Sequence, residues 1–280
     1  MNKLLKFFIF FVLLVILVFI YSTYVGTAGL ITKEYTLYDY DLPEEFDGLK
    51  IVHFSDLHFK RAINIKKINQ IVEEINLINP DIVVFTGDLI DKDMEVVESD
   101  YSSLTEAFKK INARYGKFAV LGNHDYLNKD KIIKLFSDSE FKYLENNYET
   151  IISKSNHNIY VMGLGDVLYN MDDMFRMSNS LLDDDGFKIV LVHEPDVSDD
   201  IVEYVNPDLI LGGHSHNGQF RLPFIGALYT PNGAKKYYDE YYKLDDTSLY
   251  ISSGVGVSNL NIRFFNRPSI NFYRINKEIN

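Results

Sequence analysis

The sequence contains no cysteine and no tryptophan, although tyrosine and phenylalanine each occur 20 times. Without cysteine, the chain has no disulfide bond, zinc–thiolate site, iron–sulfur cluster or thiol nucleophile. Any metal site must therefore be built from nitrogen and oxygen ligands. The 280 residues, of which 46% are hydrophobic, are enough for one domain with an ordinary buried core.

Basic residues are few compared with acidic ones, since 28 lysines and arginines accompany 40 aspartates and glutamates. The resulting net charge of −12 is unfavourable for nucleic-acid binding, whose affinity comes mainly from neutralising phosphates. We therefore expect no nucleic-acid partner. Part of the acidic excess is expected to be metal-binding carboxylate, whose charge bound cations would offset. The number of subunits is not predicted by these features.

Charge is also absent from a long N-terminal stretch, Phe7–Thr32, whose first part is continuously apolar. About 20 such residues match the thickness of the hydrocarbon core of a bilayer. Lys3 and Lys6 precede the stretch and Glu34 follows it, so the positive-inside bias predicts a cytoplasmic N-terminus. We expect a single-pass protein of the cell membrane with its domain outside the cytoplasm.

Two other interpretations of the N-terminal stretch are open. A cleaved signal peptide would use the small residues Gly26-Thr27-Ala28, but the apolar stretch is long for such a peptide and favours an uncleaved anchor. A buried core helix would seldom be apolar on all of its faces at a chain end. The predicted organisation is a transmembrane anchor (1–25), a tether and entry segment (26–48) and one folded domain (49–280).

Strand-like and helix-like segments alternate through the folded domain. Leu49–Ser55 is predicted to be a strand, and the isoleucine spacing that ends at Asn79-Pro80-Asp81 predicts a helix. Residues 171–182 are also predicted to be helical. From Leu228 onward the alternating pattern predicts antiparallel strands. This order favours an α/β fold in which two sheets pack together with helices outside.

Five short motifs follow short apolar runs, at the points where strands are predicted to pass into loops. In chain order they are Asp56-Leu57-His58, Gly87-Asp88-Leu89-Ile90-Asp91, Gly122-Asn123-His124-Asp125, His193 and Gly213-His214-Ser215-His216. A single histidine is more often structural than a ligand. Five such motifs at strand ends, where α/β folds place their sites, predict two metal ions and phosphate-ester hydrolysis.

The residue types in these motifs suit a mixed nitrogen and oxygen site. Asp56 and His58 alternate on one side of a turn, so both can reach one ion. The two oxygens of Asp88 can bridge two ions, and Asn123 offers a neutral amide oxygen. Imidazole nitrogens are expected from His193, His214 and His216. Such a set favours Mn²⁺, Fe²⁺ or Zn²⁺ over Ca²⁺.

Several polar residues near the motifs have other predicted roles. His124 follows Asn123 and is expected to point the other way, toward the leaving oxygen of a substrate. Asp125 would fix the tautomer of His124 and raise its pKa, which would make it a proton donor near neutral pH. Asp91 and Asp125 are expected to orient ligands. His53 is predicted to be a packed structural histidine, and His157 and the acidic turn 183–186 are predicted to be solvated.

The motifs D-x-H, G-D-x-x-D, G-N-H-D, H and G-H-S-H resemble those of the calcineurin-like metallophosphoesterase family, over roughly residues 48–275. The stretches 212–223 and 254–258, with Arg263-Phe264 and Arg267-Pro268, are similar to membrane-tethered or exported bacterial members. The resemblance implies two stacked mixed β-sheets flanked by helices.

The resemblance also implies a division of the ligands. Asp56, His58 and His216 would hold the first metal, and Asn123, His193 and His214 the second, with Asp88 between the two ions. His124 would be the general acid or a hydrogen-bond donor to the transition state.

The expected function is that of a dinuclear metal-dependent phosphoesterase at the outer face of the membrane. Attack by a metal-bridging hydroxide would cleave a phosphomonoester or phosphodiester, with a lipid- or envelope-linked ester as one candidate substrate. One alternative is a pyrophosphatase acting on a nucleotide-linked lipid of the UDP-diacylglucosamine type. An alternative from another class is a metal-binding envelope protein that catalyses no reaction. The presence of His124 argues against it, because a protein that only binds metal would not need this residue.

Overall fold

The computed structural model describes residues 1–152, 154, 158–178 and 185–278. Within these ranges the helices are α1 (Lys3–Ile20), α2 (Ile65–Ile78), α3 (Glu98–Phe108), α4 (Lys129–Asp138), α5 (Met174–Ser178) and α6 (Ser198–Val205). The strands are β1 (Ile31–Asp39), β2 (Leu49–Phe54), β3 (Ile82–Thr86), β4 (Gly116–Val120), β5 (Phe141–Tyr143), β6 (Asn147–Ile151), β7 (Ile159–Gly163), β8 (Phe187–Val192), β9 (Leu209–Gly212), β10 (Arg221–Leu222), β11 (Gly226–Ala227), β12 (Tyr241–Leu244), β13 (Thr247–Ile251) and β14 (Ser269–Lys277).

The strands form two six-stranded mixed sheets and one short hairpin. The first sheet has the spatial order β1-β14-β2-β3-β4-β5 and the second β12-β13-β9-β8-β7-β6, while β10 pairs with β11. Strands β2 to β5 run parallel in the first sheet, and β7, β8, β9 and β13 run parallel in the second. Because parallel neighbours end at the same edge of a sheet, each sheet collects several loops at one edge.

Three apolar layers hold the fold together. In β3, Ile82 and Val84 point to the layer between the sheets, whereas Val83 and Phe85 pack under α2, α3 and α4. The second sheet likewise buries Val190 against α5 and α6 on its outer side. The result is the predicted α/β architecture of two stacked sheets with helices on both outer faces.

The strand predicted over Leu49–Ser55 is β2, and the isoleucine-rich helix is α2. The helix predicted over 171–182 is confirmed only in part, since residues 171–173 are not helical, α5 covers Met174–Ser178, and the later positions lie outside the described residues. His157 and residues 183–184 of the acidic turn also lie outside them. The antiparallel strands predicted from Leu228 onward are also confirmed in part, because β12 pairs antiparallel with β13, whereas β13 runs parallel to β9.

The N-terminal helix is the only helix in the described part of the chain that is long and apolar enough to cross a membrane. No residue of α1 is buried, and the helix continues into a π-helical turn at Tyr21–Val25. This arrangement is compatible with a single-pass membrane anchor.

The segment between the anchor and β2 takes part in the first sheet. Strand β1 pairs in parallel with β14, from Ile31 opposite Ser269 to Asp39 opposite Lys277. Its side chains alternate between exposed and partly buried positions, as expected for an edge strand. Part of the region expected to be a tether is thus ordered sheet.

Candidate metal centre

The five predicted motifs meet at one place, where parallel strands of both sheets end. Asp56 and His58 follow β2, Asp88 follows β3 and Asn123 follows β4. From the second sheet, His193 follows β8, and His214 and His216 follow β9. The stacking of the sheets brings the two sets of loops against each other.

Five of the seven predicted ligands have a left-handed backbone conformation, which is uncommon for residues other than glycine. They are Asp56, His58, Asp88, His214 and His216, with φ between 43° and 64°. Cross-loop hydrogen bonds hold this backbone in place: the N–H of Asp56 donates to Gly87 O at 2.9 Å, and that of His58 to Asp88 O at 3.1 Å. Strain of this kind is typically retained at functional sites.

The first group of predicted ligands consists of Asp56, His58 and His216, which are all buried. His58 Nε2 lies 3.1 Å from His216 Nε2, and Asp56 Oδ1 lies 3.5 Å from the same nitrogen of His216. Their ligand atoms are close enough together to share one cation.

The second group contains His193 and His214, whose nitrogens Nε2 and Nδ1 lie 3.2 Å apart. Asp88 joins the two groups, since its Oδ2 is 3.4 Å from His193 Nε2 and 3.5 Å from His58 Nε2. The other oxygen of Asp88 accepts a hydrogen bond from the backbone N–H of His124 at 2.8 Å. Asp88 therefore stands where a bridging carboxylate would stand.

The distal nitrogens of three histidines face acceptors that suit metal-binding tautomers. His193 Nδ1 donates to Thr86 O and His214 Nε2 to Asn232 O, both at 2.7 Å. His58 Nδ1 faces Asp91 Oδ2 at 3.4 Å. In their neutral forms, these three rings keep a lone pair on the inward nitrogen. His216 differs, because its Nδ1 lies 3.2 Å from the Arg263 guanidinium, which is a donor.

Two further observations show that the residues fit a pair of cations. Asn123 Oδ1 is buried and has no hydrogen-bond partner among the described residues, which is costly unless a ligand is present. A Cβ atom at Gly87 would lie 2.6 Å from His193 Nδ1, and one at Gly122 would lie 2.4 Å from Asp88 Oδ1. Both glycines are therefore needed for the close approach of the loops.

The electrostatics differ across the cluster. Burial disfavours a charged imidazole at His193, but the Asp88 carboxylate outweighs it and raises the pKa of His193 well above its ordinary value. Burial also opposes ionisation of Asp88, yet the neighbouring histidines lower the pKa of this carboxyl well below its usual range. Burial instead lowers the pKa of His214 to about 4 and keeps that ring neutral, as a metal ligand must be.

The profile of the calcineurin-like phosphoesterase family matches residues 49–218, which include all seven predicted ligands. The chain belongs to this family. It is 33% identical over 258 residues to the uncharacterized metallophosphoesterase YkuE of Bacillus subtilis, covering 91% of this chain and 88% of YkuE. It is 27% identical over 224 residues to phosphodiesterase YaeI of Escherichia coli, covering 79% and 80% of the two chains.

Among solved structures, sulfate thiohydrolase SoxB of Thermus thermophilus aligns with 85% of this chain and 58% of its own, at a TM-score of 0.52 and 11% identity. This similarity supports the fold alone. The calcineurin-like phosphoesterases use a dinuclear divalent metal site, and family membership identifies the protein as a metal-dependent phosphoester hydrolase.

Asp125 differs from its sequence-based interpretation. Its fully buried carboxylate accepts the backbone N–H groups of Asp88, Leu89, Ile90 and Gly122, at 2.8 to 3.2 Å. The described structure has no hydrogen bond between Asp125 and the His124 ring. In this phosphoesterase, Asp125 ties together the two loops that carry Asp88 and Asn123.

His124 lies at the edge of the cluster and lines a cavity of about 420 Å³. Its Nδ1 accepts the backbone N–H of Lys92 at 3.3 Å, so a neutral ring carries its proton on Nε2. The expectation that the pKa of His124 is raised is not met, because burial lowers it. The ring is therefore a neutral hydrogen-bond donor at physiological pH.

Asp91 lies beside the predicted ligand His58, where its predicted orienting role would require it. The carboxylate of Asp91 faces His58 and also accepts two hydrogen bonds from Arg61. Arg61 Nε lies 2.5 Å from one oxygen of Asp91, and Arg61 Nη2 lies 3.0 Å from the other. Burial opposes ionisation of Asp91, but the hydrogen bonds from His58 and Arg61 outweigh it and lower its pKa.

His53 is the predicted packed histidine: it is fully buried, its Nε2 lies 2.8 Å from Thr86 Oγ1, and burial lowers its pKa to about 3.

Two residues of the site had no role assigned from the sequence. Arg263 is fully buried, and its guanidinium donates to the carbonyls of Ser253, Gly254 and Gly256 and lies 3.2 Å from His216 Nδ1. It thereby fixes the loop after β13 beside the first ligand group.

The second residue is Glu194, which follows His193 and is also buried. It pairs with the buried Asp166, and its Oε2 accepts the N–H of Val167 at 3.2 Å. Burial raises the pKa of Glu194 well above its ordinary value. The adjacency of a glutamate to the His193 motif was the only sequence signal for this pair.

The 420 Å³ cavity is the one that belongs to the metal cluster. Its lining includes Asp88, Asn123, His124, His214 and His216. The rest of the lining combines apolar side chains, such as Phe220, Leu260 and Ile262, with polar ones, such as Gln219 and Asn259. A larger cavity of about 860 Å³ lies near Asp41 and Asp208 and contains none of the predicted ligands.

Proposed function

We propose that the protein hydrolyses a phosphate ester with two divalent cations, held by the seven predicted ligands. Asp56, His58 and His216 would bind one cation, and Asn123, His193 and His214 the other, with Asp88 shared between them. The position of Asp88 Oδ2, at nearly equal distances from His58 Nε2 and His193 Nε2, is the observation that carries the proposal.

Two divalent cations supply charge that stabilises a phosphate and lower the pKa of water that attacks phosphorus. The nitrogen and oxygen donors suit Mn²⁺, Fe²⁺ or Zn²⁺. The chain itself provides the rigid arrangement of carboxylates and imidazoles, set by the loops that Asp125 ties together. It also provides the Nε2–H of His124 as a donor to a substrate oxygen.

The substrate enters through the cavity lined by His124 and His216, so its phosphate is the part that reaches the ligands. A monoester and a diester both have the required non-bridging oxygens. The other side chains of the lining, among them Phe220 and Leu260, would contact the remainder of the substrate. We place the reaction outside the cytoplasm, on the basis of the uncharged helix and the lysines that precede it.

The test uses the full-length protein in detergent, stripped of metal and then reconstituted with Mn²⁺, Fe²⁺ or Zn²⁺. Hydrolysis is measured with an aryl phosphomonoester, an aryl phosphodiester and a nucleotide pyrophosphate, which covers the pyrophosphatase alternative. We expect turnover of at least one ester and about two metal ions per chain by elemental analysis.

The variant Asp88→Ala should lower both the metal content and the hydrolysis rate. Asp138→Asn is the matched control, because Asp138 is an exposed carboxylate at the end of α4. Two metal ions per chain in Asp88→Ala would contradict the bridging role. Absence of hydrolysis in the metal-loaded wild type for all three substrate classes would contradict the proposed function.

A further inference from the structure

The end of the membrane helix is fixed to the domain at one particular segment. Ser22 is buried, and its carbonyl accepts the backbone N–H of Arg263 at 2.9 Å. The ring of Tyr21 meets Phe264 edge-on with centroids 5.5 Å apart. A Cβ atom at Gly26 would lie 1.8 Å from Arg263 O, so the contact is close. The helix therefore leaves the domain directly at residues 263–264.

The same segment forms part of the cavity that contains the metal ligands. Leu260 and Ile262, just before Arg263, line this cavity. The ring of Phe264 stacks on Phe220, with centroids 5.0 Å apart, and Phe220 lines the cavity as well. The mouth of the cavity is thus adjacent to the point where the helix leaves the domain.

We call residues 217–232 and 258–268 the apolar rim, because each of these two segments contributes residues to the lining of the cavity. The hairpin of β10 and β11 belongs to it, and the side chain at its tip, Phe224, is completely exposed. The large exposed apolar side chains of the rim are Phe224, Ile225, Leu228, Tyr229, Leu260 and Phe265. The surface of a soluble protein seldom carries so many large apolar side chains close together.

The charge of the rim also differs from that of the rest of the chain. Its two segments contain no aspartate or glutamate, although the chain as a whole has a net charge of −12. Of their three arginines, Arg263 is buried, Arg221 pairs with Asp239 outside the rim, and Arg267 follows Asn266. Exposed aromatic and aliphatic side chains in segments that carry no carboxylate match the chemistry of the interface between lipid headgroups and acyl chains.

We propose that the apolar rim docks on the bilayer from which α1 emerges, so that the metal cavity opens at the level of the lipid headgroups. The substrate would then be the phosphate ester of a membrane amphiphile, whose apolar part stays in the bilayer while its phosphate enters the cavity. The statement about the substrate rests on the proposed phosphoesterase function, whereas the docking does not.

The docking is tested on the full-length protein in phosphatidylethanolamine–phosphatidylglycerol vesicles. Because the chain has no cysteine, Phe224→Cys provides a single site for a fluorescent label. The control is Leu77→Cys, since Leu77 is 78% exposed on α2, near the edge where β3 begins and away from the cavity. Lipids that carry a quencher in their acyl chains are added to both samples.

We expect the label at residue 224 to be quenched at least threefold more than the label at residue 77. Iodide, which quenches from the water phase, should act more weakly at residue 224 than at residue 77. Equal lipid quenching at the two positions, together with full access of iodide to both, would overturn the docking.

The substrate class is tested with phosphatidic acid and phosphatidylglycerol, each as a soluble dihexanoyl form and as a dioleoyl form in the vesicles. The double variant Phe224→Ser/Ile225→Ser should lose at least tenfold in rate on the dioleoyl lipids and stay within twofold of wild type on an aryl phosphodiester. Leu77→Ser should behave as wild type on both.

The outcomes separate the two proposals. Hydrolysis of the aryl ester without hydrolysis of either lipid in any form would overturn the lipid substrate while leaving the phosphoesterase function intact. Equal rates of the double variant and wild type on dioleoyl lipids would overturn the role of the rim in catalysis. Absence of hydrolysis of every ester would overturn the proposed function, and the label measurement would still decide the docking.

Discussion

The carboxylate of Asp125 accepts the backbone N–H of Asp88 at 2.8 Å, which ties the loop after β4 to the loop after β3. The same carboxylate also accepts N–H groups from Leu89, Ile90 and Gly122. A single buried side chain therefore sets the distance between a predicted bridging ligand and the loop that carries Asn123.

We expect Asp125→Asn to weaken metal binding and stability together. An amide group offers one acceptor oxygen and turns its N–H₂ toward backbone N–H groups, so about two of the four hydrogen bonds are lost. A hydrogen bond to a charged group contributes roughly 1.5–3 kcal/mol, so the loss of two gives about 3–6 kcal/mol. The measurement is thermal unfolding and elemental analysis of the purified variant, and wild-type values for both would refute the role of Asp125.

A second prediction concerns Gly122, whose neighbours leave no room for a side chain. A Cβ atom there would lie 2.4 Å from Asp88 Oδ1 and 2.6 Å from Asp88 N, so Gly122→Ala must displace the Asp88 loop. We expect the hydrolysis rate to fall by a factor of about 10² or more, because displacement by about 1 Å can cost that much. The rate is measured at saturating Mn²⁺.

The matched control for this change is Gly212→Ala. Gly212 ends β9, and the nearest atom to an added Cβ is Pro195 Cβ at 3.5 Å, an ordinary contact distance. This variant should retain the wild-type rate within about threefold. Similar rates for the two alanine variants would show that the space at Gly122 is not required.

The sequence was sufficient to predict which polar residues cluster and the strands before them, because both signals are local. The apolar run before Asp88 and the histidines of the last motif each occupy a few consecutive residues. Their assembly into two stacked sheets followed from the alternation of strands and helices and from the family resemblance.

Other features depend on partners that are distant in sequence. Strand β1 is a strand because it pairs with β14, more than 230 residues later, and its own sequence resembles a polar linker. Arginines are seldom fully buried, so Arg263 would be expected on the surface from its residue type alone. Its burial depends on three carbonyls of the loop after β13. The acceptors of Asp125 are backbone groups, which no side-chain motif reveals.

A third prediction concerns membrane topology. Lys3 and Lys6 precede the uncharged helix, so we expect a cytoplasmic N-terminus and an external domain. In cells stripped of their wall, added protease should digest the domain while a cytoplasmic marker protein stays intact. A domain that is protected until lysis, and is then recovered in the soluble fraction, would exclude this topology.

A fourth prediction uses Asp208, which lies immediately before β9 and is not among the predicted ligands. Burial, followed by the nearby Asp39, raises the pKa of Asp208 to about 8. The folded protein therefore binds a proton that the unfolded chain releases above pH 4, and this carboxyl destabilises the fold progressively as the pH rises from about 4 to 8.

We therefore expect Asp208→Asn to raise the free energy of unfolding at pH 8.5 by on the order of 1–2 kcal/mol, after allowance for solvent screening of this half-buried group. At pH 4 the variant and the wild type should be equally stable. The measurement is denaturant unfolding of both proteins at the two pH values. A variant that is less stable than wild type at pH 8.5 would contradict the raised pKa.

The last prediction separates donation of a hydrogen bond by His124 from metal binding. His124→Ala should keep both ions, because the seven ligands are unchanged, and its rate should fall by about 10²- to 10⁴-fold. Because the Nε2–H of a neutral ring stabilises charge on a leaving oxygen, the loss should grow with the pKa of the leaving group. The measurement is kcat for aryl and alkyl esters of graded leaving-group pKa, with metal content determined in each sample. An equal loss across the series would place the hydrogen bond on a non-bridging phosphate oxygen, and loss of metal would make His124 a structural part of the cluster.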